Sequence, residues 1–204
     1  MARDKAGHHE QIMAAAWQEF LNYGFADASM RRIAASAGMS AAGLYKHFPS
    51  KEEMFSALVE PAYQGLMALY RQEETAERKA LEAGIVTEKW KSSGKARLAM
   101  TYIYDHLDAF RLLICKSQGT RYESFLHDLA VEEEKTTMAM MELLKAQGRP
   151  INDVNPSQFH LLVTANVNAV FQAVQHDFTR EEALNYADTL DRFFAKGWQT
   201  FFGY

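Results

Sequence analysis

The sequence SMRRIAASAGMSAAGLYKHFPSK, residues 29–51, decides the fold of the N-terminal part of this chain. Ser29 is a good helix N-cap, and apolar residues follow it at helical spacing. Gly38 ends this first helix, because glycine enters the left-handed conformation without steric penalty. Ser40 then caps a second short helix that buries Leu44. Two short helices joined by a glycine turn predict a helix-turn-helix.

All the charged side chains of this stretch are basic. It contains four basic side chains, Arg31, Arg32, Lys46 and Lys51, and no acidic one. DNA is attracted to such a surface, and the second helix of a helix-turn-helix typically enters the major groove. Two short helices with a glycine turn also occur in proteins that do not bind DNA, and positive charges are also typical of a solvated surface. The pattern alone leaves both interpretations open.

The rest of the chain differs in charge from this N-terminal part. The 204 residues are 48% hydrophobic and 24% charged, which is ordinary for a globular protein, with a formal net charge of −4. Residues 1–51 hold six basic and four acidic side chains, a balance of +2, and the remainder is therefore at −6. An acidic body disfavours a second DNA-binding surface there.

Other sequence signals favour a cytoplasmic protein. The single cysteine, Cys115, excludes an internal disulfide and lies in the apolar run LLICK, where an inert buried thiol is expected. The first residues lack the apolar core of a signal peptide. No stretch approaches the roughly 20 apolar residues of a membrane span, so no membrane association is predicted.

The N-terminal quarter of the chain closely resembles the DNA-binding domain of the TetR (tetracycline-repressor-like) transcription regulators. An ordered set of positions carries the resemblance, and such a set is more specific than any isolated motif. The positions are Ile12, Ala15, Ala16, Phe20, Gly24-Phe25, Ser29, Ile33-Ala34, Ala37-Gly38, Ser40, Leu44-Tyr45, His47-Phe48 and Ser50-Lys51-Glu52.

This resemblance implies an all-α fold with two domains. The first, residues 1–52, is expected to be a three-helix helix-turn-helix DNA-binding domain. The second, residues 53–204, is expected to be a larger helical domain for effector binding and dimerisation.

The expected DNA contacts combine the residue chemistry with the family pattern. The resemblance implies that Arg31 reaches a base edge and that Tyr45, His47 and Lys51 contact phosphates. The small residues at the start of the recognition helix can approach bases closely but cannot form bidentate hydrogen bonds. Lys46 is the one long hydrogen-bond donor that this helix offers. The predicted set is Ser29, Arg31, Ser40, Ala41, Ala42, Gly43, Tyr45, Lys46, His47 and Lys51.

Hydrophobic periodicity predicts helices through the rest of the chain. The first helix is expected from about His9 to Tyr23, after a polar and mobile tail. A helix capped by Ser50 should be kinked or broken at Pro61, and one exposed helix followed by a loop is expected in residues 71–94. Further helices are expected within Lys95 to Lys116, from Arg121 to Gln147, from Pro156 to about Asp177, and after the capping box Thr179 to Glu182.

The family resemblance places a pocket for a small hydrophobic or amphipathic effector among the middle helices. Methionine adapts to irregular cavities, and tyrosine adds a polar tip to an apolar wall. Each candidate could equally be a core residue. The candidates are Met67, Met100, Tyr104, Phe110, Tyr122 and Phe125.

The resemblance also implies that the last two helices pair with those of a second copy as a four-helix bundle. The aromatic character of the final helix suits this role, although the core of the same chain could also cover it. The residues predicted at this interface are Phe159, Val163, Val170, Leu190, Phe194 and Trp198.

No catalytic pattern is present in the sequence. The seven histidines are scattered and form no compact metal-ligand spacing, and there is no phosphate-binding glycine loop or nucleophile elbow. No enzyme activity, metal site or cofactor is therefore predicted.

The sequence is best interpreted as a homodimeric, ligand-responsive transcription regulator. The expected form is a repressor that binds a palindromic operator in double-stranded DNA and is released by a small molecule. Within the same class, an activator or a regulator without a small ligand stays open. From another class, a helical ligand-binding or scaffold protein without specific DNA binding stays open as well.

Overall fold

A computed structural model describes residues 2–83 and 94–203, with side chains from residue 8 onward. All regular secondary structure in these ranges is helical, which confirms the predicted all-α class. The helices are α1 (Ala2–Asp27), α2 (Met30–Ser36), α3 (Ala41–His47), α4 (Lys51–Glu82), α5 (Lys95–Asp105), α6 (Leu107–Cys115), α7 (Phe125–Ala146), α8 (Pro156–Gln175) and α9 (Arg180–Phe202). None of the described helices has a stretch long and apolar enough to span a membrane.

The chain forms two compact units. The first unit comprises Met1–Gln64 and His106–Glu123, and the second comprises Gly65–Asp105 and Ser124–Tyr204. Helix α4 therefore contributes residues to both units. The assignment of residues 1–52 to the DNA-binding domain and of residues 53–204 to the effector and dimerisation domain stays a prediction.

The first unit has a core built from the predicted apolar stripes. Phe55 lies at its centre, with ring centroids 5.2 Å from Phe20 and 5.5 Å from Phe25. Helix α6 also packs against α1, and the Phe25 amide donates to the Lys116 carbonyl over 2.9 Å. The fully buried large side chains of this unit include Ile12, Phe20, Ile33, Leu44, Met54, Phe55 and Phe110.

The second unit is a bundle in which α7 packs on α8 and α5 packs on α9. The predicted capping box of α9 is confirmed, because Thr179 accepts from the Glu182 amide and Glu182 accepts from the Thr179 amide. At the other end of α9, an aromatic cluster joins it to α8. Its members are Phe159, Trp198, Phe201 and Phe202.

One expectation about the N-terminal half is wrong. The chain is already helical at Ala2, where we expected a tail before His9, because the alanines, Arg3 and Lys5 of this segment favour helix. The predicted end of the first helix at Tyr23 is confirmed, because Gly24 is non-helical with φ 71° and ψ 173°, and a short further helical segment follows the kink as far as Asp27.

Helix α4 is longer than predicted. It continues to Glu82 without the expected break near residue 71, since this segment is rich in helix-forming residues and contains the Arg78 to Glu82 pair. Pro61 lies inside the helix and does not break it. Buried Val59 and Ala62 flank Pro61, and this packing outweighs the loss of one backbone hydrogen bond.

Two further corrections concern the region around residue 120. Helix α7 begins at Phe125 and not at Arg121, because the Thr120 hydroxyl holds a turn by donating to the Ser117 carbonyl and accepting from the Tyr122 amide. Cys115 is exposed, contrary to the expected buried thiol, since it ends α6 just beyond the buried Leu112 and Leu113.

Candidate DNA-binding surface and effector cavity

The helix-turn-helix has the geometry that its sequence predicts. The Ser29 hydroxyl accepts from the Arg32 amide, and the Ser40 hydroxyl accepts from the Gly43 amide over 3.1 Å. Gly38 lies between the two helices with a φ of 68°. Each helix thus begins at a serine cap, and only a residue that tolerates positive φ fits the turn.

Glu19 of α1 fixes α2 from behind. Its Oε1 accepts from the Ser29 amide over 2.8 Å and from Nε of Arg32 over 2.7 Å. Arg32 also donates to the Asp27 carbonyl and lies over the Tyr23 ring. Sequence reasoning left Arg32 undecided and missed Glu19. The available signal was the spacing, because Glu19 lies on the buried face of α1, seven residues after Ile12.

Replacing Glu19 with alanine is expected to lower the free energy of unfolding by about 1–3 kcal/mol, because the Ser29 amide and the Arg32 guanidinium lose a buried acceptor. Urea denaturation followed by circular dichroism measures the change. Glu10→Ala is the matched control, since Glu10 is exposed on the same helix. Equal stability of the two variants would contradict this role for Glu19.

The predicted DNA-contacting side chains are mostly at the surface. Arg31, Lys46 and His47 are exposed, and Tyr45 is about half exposed. Small residues occupy the start of α3, where Ala42 is exposed and Ala41 and Gly43 are half-buried. The helix-turn-helix therefore presents basic and aromatic groups on its outer side, while Ile33 and Leu44 pack inward.

Lys51 has a second role that the sequence did not indicate. Its Nζ donates to the Ala26 carbonyl over 3.0 Å and to the Ala28 carbonyl over 3.2 Å. The ammonium also lies 4.5 Å from the centroid of the Phe25 ring. Lys51 thus ties the start of α4 to the end of α1, and its predicted phosphate contact stays a prediction.

The six residues predicted to line a ligand pocket do not line the cavity described below. Phe110 and Tyr122 belong to the first unit, and Tyr122 donates a hydrogen bond to Glu60. Among those in the second unit, the Tyr104 hydroxyl donates to the Ala173 and Phe178 carbonyls, and Met67 is half-buried. Met100 and Phe125 are core residues. Any part of the six in ligand binding stays a prediction.

The second unit contains a cavity of about 180 Å³ lined by residues from α4, α5, α7, α8 and α9. Its wall is mostly apolar and includes all six residues that we predicted at the dimer interface: Phe159, Val163, Val170, Leu190, Phe194 and Trp198. The first four of these six are buried in the protomer itself. The apolar stripe of a helix predicts burial but does not say which surface covers it.

Four charged side chains also line this cavity. Lys95 forms an ion pair with Glu77 over 2.7 Å. Asp191 accepts from the Ala96 and Arg97 amides at the start of α5, and burial raises the pKa of this carboxyl. Glu133 has no hydrogen bond or ion pair to its carboxylate from any residue in the described ranges. Burial raises the pKa of Glu133, Lys95 opposes this effect, and Glu77 adds to it.

Glu133→Gln is expected to raise the free energy of unfolding at neutral pH. The pKa of Glu133 is higher in the folded chain than in the unfolded one, so the ionised carboxylate destabilises the fold at neutral pH. The gain should disappear as the pH falls below the unfolded pKa, where the carboxyl is protonated in both states. Urea denaturation of the wild-type and Glu133→Gln proteins across this pH range tests this prediction. A gain in the free energy of unfolding that does not change with pH would contradict it.

The helix-turn-helix region matches a known family. Residues 12–58 match the model of the bacterial regulatory proteins of the tetR family. This range covers most of α1, all of α2 and α3, and the beginning of α4. No curated protein sequence matches the chain significantly.

Solved structures of TetR-family regulators share the fold over almost the whole chain. The regulator PfmR from Thermus thermophilus is 21% identical, with a TM-score of 0.58 over 91% of this chain and 97% of that one. NalD, the secondary repressor of the MexAB-OprM multidrug efflux pump in Pseudomonas aeruginosa, is 15% identical, with a TM-score of 0.56 over 93% and 96%. FadR from Bacillus subtilis in complex with stearoyl-CoA is 11% identical, with a TM-score of 0.55 over 93% and 98%.

Identities this low establish a common fold and do not transfer a ligand. The family match is confined to the helix-turn-helix region. Residues 12–58 thus match the DNA-binding part of the bacterial regulatory proteins of the tetR family, and the described chain has the fold of TetR-family transcription regulators.

Proposed function

We propose that the protein is a homodimeric, cytoplasmic transcriptional repressor that binds a palindromic operator and is released by a small molecule. The observation that carries this proposal is the exposure of Arg31, Lys46 and His47 on a helix-turn-helix whose other basic residues are already bonded. Arg32 is bonded to Glu19, and Lys51 to backbone carbonyls. The exposed side chains of Arg31, Lys46 and His47 are left available for DNA.

DNA recognition follows from the side chains that α2 and α3 present. Helix α3 enters the major groove, where its small N-terminal residues allow close approach of the backbone. Arg31 supplies a bidentate hydrogen bond to guanine, which the small residues at the start of α3 cannot make. Tyr45, Lys46 and His47 contact phosphates and fix the register of the helix on the duplex.

Dimerisation uses α8 and α9. Helix α9 holds α8 through the Tyr186 hydroxyl, which donates to the Ala169 carbonyl over 3.1 Å. The pair leaves large apolar side chains exposed, with Leu161 at 67% and Phe193 at 71%. A second copy that covers these side chains would place two helix-turn-helix units on a two-fold symmetric operator.

Ligand control uses the cavity of the second unit. Its mixture of an apolar wall with a few charged groups is typical of small-molecule sites. NalD is the secondary repressor of a multidrug efflux pump, and FadR is solved in complex with stearoyl-CoA, so at least one transcription regulator of this fold binds a small molecule. A coupling free energy of about 1–3 kcal/mol between ligand and operator already changes operator affinity some 5- to 150-fold.

Transcription in vitro from a promoter that overlaps a selected binding site tests the sign of regulation. Addition of the protein should lower transcript yield, and a matched template with a scrambled site should not respond. An increase in transcript would identify an activator instead. Equal behaviour of both templates would favour the scaffold alternative, in which the helix-turn-helix binds no specific DNA.

A further inference from the structure

We propose that the cavity of the second unit binds a small lipophilic monocation, such as a quaternary or protonated amine, with Glu133 as its counter-ion. The inference rests on the ligand-responsive function proposed above, and it names the chemical class of the effector. Three features of the cavity carry it: the aromatic wall, the excess of carboxylates, and the lack of a bonded partner for Glu133 among the described residues.

The wall of the cavity suits a lipophilic cation. Five aromatic side chains line it: Tyr70, Phe159, Phe194, Trp198 and Phe202. The face of an aromatic ring attracts a cation, and tryptophan does so most strongly. A quaternary ammonium needs no hydrogen-bond acceptor, so such a wall can hold it together with its apolar substituents.

The lining carries an excess of negative charge. Three carboxylates, Glu77, Glu133 and Asp191, line the cavity, and Lys95 is the only Lys or Arg among the described lining residues. The Lys95 ammonium is already paired with Glu77 over 2.7 Å. A bound monocation would reduce this imbalance, whereas a bound carboxylate or phosphate would increase it.

Glu133 differs from the other two carboxylates in its lack of a partner. Glu77 has Lys95, and Asp191 accepts two backbone amides. Glu133 is half-buried, lines the cavity, and has no bonded partner for its carboxylate in the described part of the chain. Its raised pKa reflects the same burial. Since a buried charge is costly unless it is paired, a cationic ligand would supply the interaction that Glu133 lacks.

The cavity volume limits the size of the ligand. An apolar cavity of about 150 Å³ is sufficient for benzene. The cavity of about 180 Å³ therefore admits one ring with a small cationic head, or an alkyl group of similar bulk.

Isothermal titration calorimetry of the full chain, without DNA, tests the proposal with three probes of similar size. These are benzyltrimethylammonium, its uncharged isostere neopentylbenzene, and the anion 4-phenylbutanoate. We expect the cation to bind at least about tenfold more tightly than either of the others. Glu133→Gln should lower affinity for the cation about tenfold and leave the uncharged probe unaffected. Glu142→Gln, an exposed carboxylate on the same helix, should change neither affinity.

Equal binding of the three probes, tighter binding of the anion, an unaltered cation affinity in Glu133→Gln, or no binding at all would each overturn the proposal. The titration contains no DNA, so its result is independent of whether the protein is a repressor. Operator binding is then measured with and without benzyltrimethylammonium. If the cation binds the protein but leaves operator affinity unchanged, the cavity assignment stands and the release mechanism is wrong.

Discussion

Combining Arg31→Ala with Lys46→Ala is expected to lower operator affinity by at least about 100-fold. Arg31 is expected to form a bidentate contact with guanine, and such a contact discriminates by about 1–3 kcal/mol. Loss of Lys46 removes a phosphate contact and reduces the salt dependence of binding. Each substitution occurs twice in a dimer. Fluorescence anisotropy with a labelled operator at two salt concentrations measures both effects.

The matched control combines Arg71→Ala with Lys79→Ala. These substitutions remove the same two charges from exposed positions of α4 that lie in the second unit. Operator affinity should be nearly unchanged in this control. If both double variants lose the same affinity, binding depends on net charge alone and the assignment of Arg31 and Lys46 is wrong.

Combining Leu161→Asp with Phe193→Asp is expected to weaken dimerisation at least about 100-fold. These side chains are 67% and 71% exposed in the protomer, and two-fold symmetry repeats each substitution across the interface. The protomer should keep its stability, because neither side chain is buried within it. Sedimentation velocity over a range of protein concentrations measures the dissociation constant.

The control for this experiment combines Leu98→Asp on α5 with Val131→Asp on α7. Both are exposed apolar residues outside α8 and α9. They should leave the dimer intact. If Leu161→Asp with Phe193→Asp also leaves a tight dimer, the dimer does not use these side chains.

A substitution at Phe159 distinguishes a role in the protomer core from a role in the dimer interface. Phe159 is 1% exposed, and it packs on Trp198 and Phe202 within the protomer. Its replacement by alanine should cost about 3–5 kcal/mol of protomer stability, whatever it does to the dimer. If the substitution weakens the dimer without lowering protomer stability, Phe159 acts in the dimer interface, as the sequence predicted.

The helix-turn-helix could be predicted from the sequence because its signals are local. Serine caps, a glycine with positive φ and apolar spacing within a few residues each specify one backbone feature. The structure has the caps at Ser29 and Ser40 and the turn at Gly38. The first unit was harder to delimit, because α6 joins it from far along the chain.

The cavity could not be predicted because periodicity reports burial and not what lies opposite a buried residue. Met100 and Phe110 are buried, but they are core residues and not the cavity-lining residues that we predicted. Glu133 lies in the sequence VEEEK, which has the composition of a solvated helix face. Only the tertiary arrangement in which α4, α5, α7, α8 and α9 line one cavity reveals that one of these three glutamates faces it.

Long-range polar contacts were missed for a similar reason. Glu19 and Arg32 are thirteen residues apart, and each is ordinary on its own helix. Lys51 was predicted as a phosphate contact, while its hydrogen bonds to Ala26 and Ala28 depend on how α4 meets the end of α1. Such pairs follow from tertiary packing, which short-range patterns do not specify.

Selection of bound sequences from a random pool of duplex DNA, repeated at two salt concentrations, tests the central claim most directly. A dimeric repressor should enrich a palindrome whose half-site centres lie about one helical turn, or a multiple of it, apart. The palindrome should persist at the higher salt concentration, because base contacts add to the electrostatic attraction. Weak retention without sequence enrichment, lost at the higher salt concentration, would contradict the claim.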